Sequence, residues 1–196
     1  MTGAASVIGT IRVADLNGDG VINSQDRTIV GTRQPKFFGG FTNRFSYRGI
    51  DLAVVGSYRV GGTQIATWLQ PASNVNALNG KANNLNVDYW TPSNHANKYP
   101  KPNFNVGSPA YGDLLGYYNA SYLKIRTISL GYTFPQLIAS KIKAKSLRLH
   151  ASLNDAIILF SPLHNRFSGA DPESAGTLGV DTPPVKSLLF GLNVSF

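Results

Sequence analysis

Apolar residues return at every second position in successive stretches of this chain, and the connections between those stretches are alternately long and short. Phe37, Phe41, Phe45 and Tyr47 share one parity, with Thr42, Arg44 and Ser46 on the other. After Arg48-Gly49, residues Ile50, Leu52, Val54, Tyr58 and Val60 alternate with Asp51, Ser57 and Arg59. A period of two is that of a strand, and two such runs joined by a short Gly-containing turn predict a β-hairpin. Ile128, Leu130, Tyr132 and Phe134 alternate with Thr127, Ser129, Gly131 and Thr133, but Leu123 and Ile125 sit on the opposite parity. That mismatch predicts a bulge or a change of face between them. Leu147, Leu149, Ala151 and Leu153 form a further run, and Leu188, Phe190, Leu192, Val194 and Phe196 close the chain. With a weaker run over Val7–Ala14, the pattern predicts an all-β chain, an antiparallel up-and-down sheet of about six strands.

The connections fall at 15–36, 48–49, 61–121, 135–145 and 161–186, the fourth with room for one helical turn. In an up-and-down sheet alternate connections share a side, so the three long ones lie together and the two short ones lie opposite. Two architectures fit. In a sandwich the apolar parity would be a core facing a second sheet. In a transmembrane barrel it would face lipid, with short turns on one side and long loops on the other. The other parity is polar but nearly charge-free, and a loop as long as 61–121 is uncommon in a compact domain.

Composition narrows the function classes. With 42% hydrophobic residues the chain can offset its ordering entropy, so it is not disordered. Cysteine is absent, which removes disulfides, thiolate metal ligands and thiol catalysis. A net charge of +8 invites a nucleic-acid partner, but the basic residues are scattered and only Lys141, Lys143 and Lys145 cluster, so no nucleic acid is expected. No apolar run reaches the ~18 residues of a membrane helix, and Met1–Ile11 does not read as a signal peptide.

The sharpest chemistry lies at 15–26, DLNGDGVINSQD. Asp15, Asn17, Asp19, Asn23 and Asp26 fall at positions 1, 3, 5, 9 and 12 of a calcium loop, Val21 offers its carbonyl at position 7, and Gly20 permits the sharp turn. Calcium takes six to eight hard oxygens, which alternate positions on a curled loop can supply. The same residues also favour turns with no metal. No helix clearly flanks the loop, so a structural calcium clip is expected in preference to a sensor. Elsewhere, His95, His150 and His164 lack metal-ligand spacing, and no nucleophile elbow, phosphate loop or dinucleotide fingerprint occurs. Asp171 and Glu173 read as a solvated loop rather than a catalytic pair, so no enzyme is expected. Asn119-Ala120-Ser121 and Asn193-Val194-Ser195 match a glycosylation sequon at a length common by chance. Trp68, Tyr89, Trp90, Tyr99, Tyr111, Tyr117 and Tyr118, in or beside the longest loop, could stack on a ligand or simply pack it.

Five stretches in this order resemble the C-terminal part of the SusC/RagA-type TonB-dependent outer-membrane transporters. They are DLNGDGVINSQDR (15–27, with Gly31 and Pro35-Lys36 after it), FTNRFSYRGIDL (41–52), DYWTPSNHANKYPKP (88–102), ASYLKIRTISLGYTFP (120–135) and FGLNVSF (190–196). The resemblance implies that residues 1–196 are the last strands and loops of a 22-stranded barrel in the cell outer membrane, without plug domain, TonB box or signal peptide. It also implies partners: a SusD-like surface lipoprotein over the mouth, the TonB complex through the missing N-terminal part, and an oligosaccharide or peptide as substrate. Arg44, Ser46, Arg59, Thr127 and Arg148 would then face the lumen, and the calcium-type loop 15–26 would lie outside the cell. The chain departs from the family at Asp155–Phe160, DAIILF where an Asn-Leu-Phe-Thr-like run is usual, and at Ala170, where Tyr would precede Asp171-Pro172-Glu173. The competing reading is a soluble secreted β-domain that binds calcium and a carbohydrate or protein partner. The loop also resembles one dockerin repeat, but dockerins carry two.

Overall fold

The computed structural model describes residues 8–66, 88–95, 99–103, 111–166, 171–173, 177–178 and 185–196. Its strands are β1 (Phe37–Tyr47), β2 (Ile50–Val60), β3 (Thr63–Ala66), β4 (Tyr117–Asn119), β5 (Tyr122–Thr133), β6 (Ser146–Phe160), β7 (Thr177–Leu178) and β8 (Ser187–Ser195). Two short helices, α1 (Gln136–Lys141) and α2 (Pro162–Arg166), follow β5 and β6. Five strands form one antiparallel sheet in the order β1-β2-β5-β6-β8. Among the described residues no helix is long and apolar enough to cross a membrane, which says nothing of strands.

The β1–β2 hairpin closes on Arg48 and Gly49, both at positive φ (47° and 84°), as the two-residue turns that match strand twist require. A Cβ on Gly49 would meet the Thr133 carbonyl oxygen at 2.6 Å, so glycine is demanded twice at this position. At the other short connection, Pro135 precedes α1, and Lys143 in the left-handed region (φ 60°) lets the Ala144 N–H return to the Ala139 carbonyl at 3.1 Å. The single helical turn expected there is present.

Register separates the two faces row by row. Tyr47, Ile50, Tyr132, Leu149 and Leu192 lie side by side, as do Phe45, Leu52, Leu130, Ala151 and Phe190. Between these rows run Ser46, Asp51, Gly131, His150 and Gly191 on the opposite face, followed by Arg44, Ala53, Ser129, Ser152 and Leu189. The apolar face is bare: Tyr47 is 68% and Phe190 73% exposed, and Phe45, Leu130, Leu149, Leu188 and Leu192 are exposed with them. A sandwich would cover this face with a second sheet. An uncovered apolar surface of this extent marks an interface or a membrane. Strands of 11 and 12 residues at ~3.3 Å per residue, tilted ~40°, climb roughly 28–30 Å, enough for the apolar band of a barrel. The ends that feed the long connections (Phe37, Val60, Tyr122, Phe160 and Ser187) lie along one edge of the sheet, and the short turns lie along the other.

The chain divides into two compact units, one of residues 34–62, 119–173 and 182–196, which holds this sheet, and one of residues 1–33, 63–118 and 174–181. In the second unit β3 pairs in parallel with β7 within a small sheet of order β4-β3-β7. The strand expected over Val7–Ala14 is not formed by its described residues. Gly9 turns with φ +85°, its carbonyl accepts from the Lys101 N–H at 2.8 Å, and a Cβ there would lie 2.7 Å from the Trp90 ring. A left-handed residue pressed against a tryptophan cannot continue a pleated strand, so the main sheet has five strands where about six were expected.

Candidate functional site

The calcium-type loop is closed by its own hydrogen bonds. Asp15 accepts the N–H groups of Gly18 at 2.7 Å and Gly20 at 2.8 Å, one on each carboxylate oxygen. Asn17 Oδ1 accepts from the Asp19 N–H (3.0 Å), and Asp19 Oδ1 from the Val21 N–H (2.8 Å). Asn23 caps the 3-10 turn Ser24–Asp26, accepting from the Gln25 N–H at 2.7 Å. Asp26 reaches back to the N–H groups of Asn23 and Leu16, both at 2.8 Å, and joins the two ends of the loop. The Asn23 N–H, then the Leu16 N–H, hold the Asp26 carboxyl below its ordinary pKa. Gly18 and Gly20 both adopt positive φ with open space around them, so they are needed for conformation and not for room.

These donors fit a hard cation in kind, because all are oxygens and each engaged carboxylate oxygen keeps a second lone pair. Among the described residues, however, no three carboxylate or imidazole groups are gathered as a metal cage. The hydrogen bonds alone account for the curl of the loop.

A second constellation, in the unit that holds the main sheet, was not anticipated as such. The bulge expected near Leu123 and Ile125 lies at Arg126: β2 pairs Val55 with Thr127 and then Gly56 with Ile125. At the same level β6 pairs Asn154 with Thr127 and then Ile157 with Ile125, and Asp155 takes a positive φ of 49°. The two irregularities bring Lys124, Arg126 and Asp155 together on the polar face. Lys124 is 1% exposed, and its Nζ lies 2.9 Å from Asp155, 3.2 Å from Asp171 and 3.3 Å from Glu173. Arg126 Nε donates to Glu173 Oε1 at 2.6 Å, and the Ser57 hydroxyl donates to the same oxygen. Burial raises the Glu173 pKa, but the Ser57 and Arg126 hydrogen bonds, with the charge of Lys124, outweigh it and hold the carboxyl below its ordinary value. Asp171 and Glu173 are therefore not the solvated loop the sequence suggested. They are largely covered, at 22% and 18% exposure, and neutralised.

Of the residues expected in the lumen, Thr127 and Arg148 lie on the polar face. Thr127 meets Asn154 at 3.3 Å, and Arg148 pairs with Asp51 at 2.6 Å across the intervening strand β5. The crossing passes over Gly131, where a Cβ would come within 2.6 Å of both partners. Arg44 and Ser46 share that face on β1 and are exposed, and Arg59 stands opposite Tyr122. Trp68 lies outside the described residues. Trp90 stacks on His95 with ring centroids 5.7 Å apart and planes 3° from parallel, while its neighbour Tyr89 bridges to Tyr99. Tyr111 and Tyr117 are exposed. The three histidines form no cluster.

No protein-family model matches the chain. Curated relatives do. TonB-dependent receptor P3 of Formosa agariphila is 29% identical over 93% of this chain and 18% of its own length. TonB-dependent receptor SusC of Bacteroides thetaiotaomicron is 26% identical over 93% of this chain and 17% of its own length. The chain thus spans about a fifth of the length of such relatives. Among solved structures, the RagAB peptide importer in its closed-closed state superposes with a TM-score of 0.65 at 21% identity, covering 91% of this chain and 20% of that one. The open-open state gives 0.62 at 23% identity. At these identities the superposition speaks for the fold, and it sets the open five-stranded sheet within a closed barrel. In sequence the chain is similar, over nearly its whole length, to the C-terminal part of SusC-type TonB-dependent receptors, which are outer-membrane proteins, and in fold it is similar to the RagAB importer.

Proposed function

We propose that this chain forms wall and external loops of an outer-membrane importer that takes up oligosaccharides or peptides, coupled to TonB and capped by a SusD-like lipoprotein. The observation that carries the reading is the sheet itself: one bare apolar face, one polar face, and every long connection leaving from a single edge. Such a chain performs no covalent chemistry, and its relatives are named as receptors and a transporter. The test is topological, in the full-length protein on intact cells. An epitope inserted at Pro92-Ser93, in the longest connection, is expected to bind antibody from outside, and one inserted at Arg48-Gly49 to bind only after the envelope is opened. Equal accessibility of both, or recovery of the protein in the culture supernatant, would overturn the barrel reading and favour the soluble secreted domain. Loss of growth on oligosaccharide or on peptide after gene deletion then separates the two substrate classes.

We also propose that calcium closes the loop 15–26 as a structural clip, held by Asp15, Asn17, Asp19, the Val21 carbonyl, Asn23 and Asp26. The support is the kind and order of the oxygen donors. Titration of the folded full-length protein by calorimetry is expected to show one calcium site in this loop, weakened at least tenfold by Asp19→Ala. No binding heat, with melting unchanged by chelator, would leave the loop as a turn held by its hydrogen bonds.

A further inference from the structure

Lys124 is the most deeply covered charge of the main sheet, in a strand whose other cation is Arg126. A buried ammonium is tolerable only when it is paired and its donors are used. On β6 the pairing group is Asp155, an aspartate in a left-handed conformation. The other two pairing groups do not come from the sheet. Asp171 and Glu173 belong to the connection between β6 and β8, 47 and 49 residues further along the chain. Glu173 meets four side chains of the wall: Ser57 of β2, and Tyr122 (3.5 Å), Lys124 (3.3 Å) and Arg126 (2.6 Å) of β5. Asp171 Oδ1 serves twice, accepting from Lys124 Nζ at 3.2 Å and from the Glu173 N–H at 3.0 Å, so it fixes the segment as well as the wall. Pro172 between them is fully buried.

We propose that the paired bulges of β5 and β6 build an anchor, Lys124 with Arg126 and Asp155, that holds Asp171–Glu173 folded in against the polar face of the sheet. Lys124 is its positioning residue. The bulges are what make it possible, because an unbroken ladder would turn Arg126 away from the face that Thr127 occupies. The anchor rests on the importer reading in one respect only: if the polar face lines the passage, then loop segment and not strand bounds the passage at this level.

The test is hydrogen exchange on the full-length protein in detergent, with heat-modifiable migration as the check on barrel assembly. Lys124→Met keeps the stem and removes the charge. The peptide carrying Asp171–Glu173 is expected to exchange at least tenfold faster while migration stays as in the parent, and Lys124→Arg is expected to restore part of the protection. If Lys124→Met does not assemble, Asp171→Asn with Glu173→Gln keeps the Lys124–Asp155 pair and is expected to give the same rise. Exchange unchanged in an assembled variant, or no gain from Lys124→Arg over Lys124→Met, would overturn the anchor. Because exchange is read without transport, a protein that imports nothing can still show the anchor, and an importer can still lack it.

Discussion

Refolded by itself into detergent or vesicles, the 196-residue polypeptide is expected to show neither heat-modifiable migration nor channel conductance, whereas a full-length barrel is expected to show heat-modifiable migration. The reason is at the edges. β1, of 11 residues, and β8, of 9, are the outer strands of the five-stranded sheet, and each is paired on one side only among the described residues. In an antiparallel edge strand every second residue turns its N–H and C=O outward, so the two edges carry roughly ten such residues. Lipid offers these groups no partner, at several kcal/mol for each unsatisfied group. The total is on the order of tens of kcal/mol, well beyond the roughly 5–15 kcal/mol by which a domain is stable. Closure with the remaining strands of a barrel removes the cost entirely. Heat-modifiable migration or stepwise conductance from the short chain alone would show instead that its edges find partners elsewhere.

The sheet was legible in the sequence because its signals are local. Parity alone places Ile50 against Asp51 and locates β1, β2, β5, β6 and β8, and the turn at Arg48-Gly49 follows from two residues. Even the bulge at Arg126 left a trace, as Leu123 and Ile125 fell out of step with Ile128. Val7–Ala14 carries a weak alternation, but Gly9 takes a left-handed turn that ends any strand there. The anchor was missed for a different reason. Its partners are 47 and 49 residues apart, and periodicity carries no information about which loop folds back on which face. One signal was nevertheless available: Lys124 and Arg126 share the polar face of a strand with no acid of its own, so counter-charge had to come from elsewhere. Asp171 and Glu173, flanking a proline, were candidates. The loop 15–26 was legible in kind, since Asn and Asp at alternating positions favour its turns with or without an ion. Its hydrogen-bonded closure through Asp26 was not, because that depends on the backbone N–H of Leu16.

Placing an arginine at Ile128 is expected to lower the equilibrium constant for assembly of the full-length protein by roughly 30- to 1,000-fold, which corresponds to about 2–4 kcal/mol for a cation at the bilayer midplane. Ile128 is the third of five outward-facing levels on β5, with Leu123 and Ile125 on one side of it and Leu130 and Tyr132 on the other. Val54 and Leu153 flank it on the adjacent strands. The same substitution at Leu123 or Tyr132, at the ends of the strand, falls near the interfaces and should cost only about 0–1 kcal/mol. Ser129→Arg, one residue away on the polar face, loses a single hydrogen bond to Ser152 (2.8 Å) and should stay within about 1.5 kcal/mol of the parent. The measurement is the urea midpoint of each assembled variant, with the heat-modifiable band as the measure of yield. What identifies lipid is the profile and not the single loss: a penalty that peaks at Ile128 and fades toward both ends follows the depth of a bilayer. The packed core of a soluble sandwich has no such axis and would penalise Leu123 and Ile128 alike. A flat profile, or an Ile128→Arg variant as well assembled as Ser129→Arg, would mean that this bare apolar face meets protein instead of membrane.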